Sequence, residues 1–138
     1  MAGQTIEFEN LDPVLHNVRI NPNGHNPPRE IENPAVNITL LPKTKPFSEK
    51  FNAPDFFLRV DCNVHPYMVA YICVMPHPFF AVTKADGRFE IQHIEGNFTV
   101  SAYHRKAGWL DRRVKITANE SPVIEFEFEV PTDVAQKE

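Results

Sequence analysis

The segment Cys62-Asn63-Val64-His65-Pro66-Tyr67-Met68 sets a thiol, an imidazole and a thioether within seven residues. A second imidazole, His16, lies far upstream behind the phrase Asn10-Leu11-Asp12-Pro13. Two His and one Cys with a weak axial Met form the donor set of a mononuclear copper that shuttles single electrons. The sulfur donors suit Cu(I), the imidazoles serve Cu(II), and one geometry is held through both states. The expected ligands are His16, Cys62, His65 and Met68. Asn17, Pro66 and His77 are expected to brace them from behind, since the partners of the ligands orient the ligands.

Such a cluster needs a rigid frame, and the rest of the chain reads as strands. Stretches near 5–9, 16–20, 36–41 and 56–61 carry strand-like patterns, and the last delivers Cys62. Residues 68–75 form a nearly continuous apolar run, which predicts a strand buried on both faces with Cys73 as a small buried hydrophobe. Further strands are expected at 79–83, 88–92, 98–104, 110–117 and 123–130, the last as Val-Ile-Glu-Phe-Glu-Phe-Glu-Val. Residues 21–34, rich in Pro and Asn, read as a long loop. About ten short strands at regular spacing predict an all-β sandwich or barrel. No stretch has helical periodicity.

The ligand phrases resemble those of the cupredoxins. The upstream phrase Phe8-Glu9-Asn10-Leu11-Asp12-Pro13-Val14-Leu15-His16-Asn17 is similar to the family's Phe-x-Asn-x-Asp-x-x-x-His-Asn. The Cys-x-x-His-x-x-Met spacing resembles the short ligand loop of the amicyanin type; plastocyanins have a longer His-to-Met gap. The resemblance implies a Greek-key β-sandwich, one type 1 copper, redox partner proteins and a periplasmic or otherwise extracytoplasmic setting. A second likeness lies in Ala81-Val82-Thr83-Lys84-Ala85-Asp86-Gly87-Arg88-Phe89-Glu90-Ile91 followed by Gly96-Asn97-Phe98-Thr99-Val100, which resembles the carboxypeptidase regulatory-like (transthyretin-like) sandwich. Lys84 and Glu95 depart from that pattern. Together they imply one compact unit over 1–130, cupredoxin-like at 4–75 and regulatory-like at 76–130, with the C-terminal strands completing the sheet. Residues 131–138 are expected to form a flexible tail.

Composition narrows the alternatives. At 138 residues the chain can bury a core without disulfide staples. Eleven Phe and thirteen Pro against five Gly favour strands and loops over helices. A net charge of −4 offers no basic surface for nucleic acid, and no apolar run reaches the length of a membrane helix. Cys62 and Cys73 would stand roughly 35 Å apart on an extended chain, so no bridge between them is expected. The N-terminus carries no signal-peptide pattern. Neither a Ser-His-Asp set nor paired carboxylates stand out, and no enzyme activity is expected. His25, His93 and His104 are expected to be structural or solvent-facing. Copper storage or delivery, a catalytic copper with an open position, zinc on the same His and Cys donors, and a metal-free interaction module remain open at this level.

Overall fold

The computed structural model of the protein describes residues 1–22, 32–92 and 94–131. The fold is all-β, with no helix among the described residues. The chain divides into two compact units, Met1–Val82 and Thr83–Glu138.

Among the described residues, the first unit contains six strands: β1 Thr5–Phe8, β2 His16–Ile20, β3 Val36–Leu40, β4 Phe47–Lys50, β5 Asp55–Asp61 and β6 Val69–Val74. Strands β1 and β4 pair antiparallel, and the other four form a sheet in the order β3-β2-β5-β6. Ile6, Phe8 and Phe47 of the small sheet pack against a core of Val18, Ile20, Val36, Leu40, Phe51, Leu58 and Val74. The two sheets thus close on one apolar interior, as a sandwich requires. Phe51, Ile20 and Leu58 are its largest fully buried side chains.

Alternation decides which side chains enter that interior. On β2, Val18 and Ile20 point inward while Arg19 is exposed, and His16 shares their parity. On β5 the parity is reset by a bulge. Asp55 pairs with Val74 but Leu58 pairs with Ile72, so β5 carries one extra residue between them. Phe57 sits there with a left-handed φ of 58°. Such an insertion turns every later side chain to the other face. Beyond it Leu58, Val60 and Cys62 share the inner face.

The second unit holds β7 Gly96–His104 and β8 Gly108–Ile116, an antiparallel hairpin. Its turn is closed by the Ala107 N–H donating to the His104 carbonyl at 3.1 Å. Tyr103 and Trp109 pair across the hairpin with ring centroids 4.9 Å apart.

Several elements differ from the sequence reading. Phe47–Lys50 is a strand, because β1 offers it a partner and Phe8 meets Phe47 at 6.2 Å. Strand β6 is mostly exposed, Cys73 included, because it is the edge of its sheet and presents one face to the core. The stretches 79–83, 88–92 and 123–130 carry no strand assignment. In the last, Ile124, Phe126 and Phe128 are half-buried between exposed neighbours. Phe126 lies 6.2 Å from Phe89 and Phe128 lies 5.5 Å from His104. Ring contacts account for its alternation where ladder pairing was expected. The C-terminal strands β7 and β8 pair with each other in a sheet of their own. Of the tail expected at 131–138, residues 132–138 lie outside the described residues.

Candidate metal centre

His16 opens β2, and Cys62 immediately follows β5. The two strands pair antiparallel through Arg19–Asp61 and Ile20–Val60, which carries the start of β2 to the end of β5. Continuing inner-face parity then turns His16 and Cys62 to the same end of the interior. His65 reaches that point from the short loop between β5 and β6.

The loop is closed by its own backbone. The Met68 N–H donates to the His65 carbonyl at 2.9 Å, a turn with Pro66 at its second position, where a fixed φ is favoured. The Cys62 N–H donates to the Met68 carbonyl at 3.3 Å. The backbones of Cys62, His65 and Met68 are thereby tied together before any ligand arrives. Pro66 is exposed at the tip beside Tyr67, whose ring lies 5.8 Å from that of His65.

Three donor atoms converge. His16 Nδ1 lies 3.1 Å from His65 Nδ1 and 4.0 Å from Cys62 Sγ, and His65 Nδ1 lies 3.7 Å from Sγ. The point equidistant from all three lies about 2.1 Å from each, close to the roughly 2.0–2.3 Å of imidazole and thiolate bonds to a small cation. His16, Cys62 and His65 could therefore hold a metal ion. The donor chemistry agrees, since one sulfur and two imidazoles suit the late first-row metals.

The surroundings prepare these donors. Burial pushes the Cys62 thiol up, but the Asn17 N–H, the His16 ring and the N–H groups of His65 and Val64 outweigh it and bring it to about 6. Cys62 as a residue is 6% exposed, and metal ligation requires the thiolate. The hydrogen bond to Cys62, and then Asp12, hold His16 above the ordinary imidazole range, against its desolvation. Asp12 Oδ2 meets His16 Nε2 at 2.8 Å, on the ring edge opposite Nδ1.

Asn17 joins three elements. Its N–H donates to Cys62 Sγ at 3.4 Å, and its Nδ2 donates to the Ile38 carbonyl at 2.8 Å and to Asn37 Oδ1 at 3.1 Å. Its Oδ1 accepts from the Asn63 N–H at 3.4 Å. Asn10, 6% exposed, fixes the preceding turn. Its Nδ2 donates to the carbonyls of Val14 and Leu40 at 2.8 and 2.9 Å, and its Oδ1 accepts from the Asp12 N–H at 3.0 Å. Asn10 and Asp12 are not among the site residues expected from the sequence. A carboxylate four positions before a candidate ligand His was the available signal for Asp12.

Met68 shares the ligand loop, whereas His77 and His104 stand elsewhere. Met68 is held in the loop by its backbone, with its residue 39% exposed. His77 follows the opposite end of β6, exposed, with its ring 5.8 Å from Phe79. His104 stands in the second unit and accepts from the Lys106 N–H at 3.3 Å. His25 and His93 lie outside the described residues.

Comparison with known proteins adds no relative. No protein-family model matches the chain, and searches of the curated proteins and of the solved structures found no match.

Proposed function

We propose that the protein is a mononuclear type 1 copper protein that carries single electrons between redox partner proteins. The observation that supports this most is the convergence of Cys62 Sγ, His16 Nδ1 and His65 Nδ1 around one point at the end of a β-sandwich. Copper bound there supplies a one-electron couple. Cys62 thiolate and the two imidazoles would hold it, and the Met68 thioether would add the weak contact that tunes potential.

The remaining work belongs to the frame. Ladder pairing with Leu40 on β3 fixes His16, two backbone hydrogen bonds fix the ligand loop, and the Asn17 N–H lies against the sulfur. Donors held this way move little when the charge of the site changes, which keeps the reorganisation cost of electron transfer low. Exposed Tyr67, Leu11 and Val14 offer apolar surface on the segments that carry the ligands, suited to brief contacts with partners. An extracytoplasmic setting and the absence of enzyme activity belong to the same reading.

Titration of the reduced metal-free protein with Cu(II) tests it, followed by visible absorption and electron paramagnetic resonance. An intense blue band with narrow copper hyperfine splitting at one equivalent is the expected result. A colourless product would favour a metal-free interaction module. Colour lost quickly to a chelator, without a reversible potential, would favour copper storage or delivery.

A further inference from the structure

We propose that Asp12 is the positioning residue for the metal ligand His16, and that its charge weights the site toward the more highly charged state of the metal. This rests on the metal-site reading above.

The geometry separates the two edges of the His16 ring. Nδ1 faces Cys62 and His65, while Nε2 lies 2.8 Å from Asp12 Oδ2. With Nδ1 given to a metal, the ring proton resides on Nε2 and is donated to the carboxylate. A carboxylate in that place fixes the tautomer and ring orientation and makes the imidazole a better donor. The His16 side chain is only 13% exposed, whereas that of Asp12 is 61% exposed. The carboxylate thus keeps its hydration while its hydrogen bond reaches a nearly enclosed ring.

Asp12 is also held in place. It precedes Pro13, which restricts its backbone to extended conformations. Its N–H is bound by buried Asn10, which spans the turn to Val14 and anchors it to Leu40 on β3. The carboxylate is therefore carried on a braced turn, not on a free loop. An anion so close to a ligand favours Cu(II) over Cu(I), and so lowers the reduction potential.

Two substitutions separate position from charge. Asp12→Asn keeps an oxygen that can accept from Nε2 and removes the charge; Asp12→Ala removes both. Glu7→Gln, at an exposed position of β1, controls for net charge. Affinities for Zn(II), Cu(I) and Cu(II) are measured by competition, and the potential by voltammetry. Asp12→Ala is expected to weaken all three ions about 10- to 100-fold. Asp12→Asn is expected to weaken Cu(II) about tenfold more than Cu(I), a rise in potential of about 59 mV for one electron. In the zinc-loaded protein the His16 Nε2 proton should give a protected nuclear magnetic resonance signal that Asp12→Ala removes. Unchanged affinities and potential in both Asp12 variants would overturn the role of Asp12 and leave the metal site standing. A shift in Glu7→Gln equal to that in Asp12→Asn would overturn the local action. A wild type that binds neither zinc nor copper would overturn the metal-site reading, and this inference with it.

Discussion

The backbone N–H of Asn17 donates to Cys62 Sγ at 3.4 Å, so the strand that begins with one candidate ligand also holds another. The same residue binds the Asn63 N–H and the Ile38 carbonyl, which locks the start of the ligand loop to β2 and β3. The site is in this sense part of the sheet's hydrogen bonding.

Cys62→Ser removes the sulfur and keeps a small side chain at a buried position. The blue colour should disappear, while the β-type circular dichroism persists and stability falls by no more than about 3 kcal/mol, the cost of burying a poorly paired hydroxyl. Colour retained in this variant would exclude Cys62 from the ligands.

Asn10 makes three hydrogen bonds while almost fully buried. Asn10→Ala should cost roughly 2–4 kcal/mol in urea unfolding, at about 1 kcal/mol per lost bond plus unsatisfied carbonyls. Asn10→Asp should be no better than Ala, because a carboxylate cannot donate to Val14 and Leu40. Near-wild-type stability in Asn10→Asp would show that the two donated bonds contribute little.

The thiol of Cys62 is brought to about 6 from an ordinary 9.0. In a metal-free Cys73→Ser background, thiolate ultraviolet absorbance should therefore appear as pH rises through about 6, be present at neutral pH, and vanish below it. Cys62→Ser should abolish the transition. A midpoint near 9.0 would mean that the Asn17 N–H and the His16 ring do not hold the thiolate.

Leu58 is wholly buried and lies just past the bulge, on the strand that leads to Cys62. Leu58→Ala should destabilise the first unit by about 2–5 kcal/mol through the lost burial and the cavity left behind. Metal affinity should fall with it under mild denaturant, because the donors are positioned by the same strands. Colour that survives unfolding of the sheet would separate the site from the core.

The local patterns were legible in the sequence wherever they depend on near neighbours. The Cys-x-x-His-x-x-Met loop is short, its Pro66 turn is a local preference, and the inner faces of β2 and β3 follow from alternation. Patterns that need a partner were not. Phe47–Lys50 becomes a strand because β1 pairs with it, and the alternation of 123–130 is held by ring contacts without strand assignment. The apolar run of β6 suggested burial on both faces, yet its position at a sheet edge leaves Cys73 exposed.

The donor set, and the closeness of His65 to Cys62, follow from the residue order alone. That His16, 46 residues from Cys62, meets them follows from the way the strands pair. That depends on the β2–β5 register and on the extra residue at Phe57, which sets the face from which Cys62 emerges. A bulge and a register are settled by the free energy of burying Leu58, Val18 and Ile20 together. That energy is a property of the whole sheet, and no seven-residue phrase contains it.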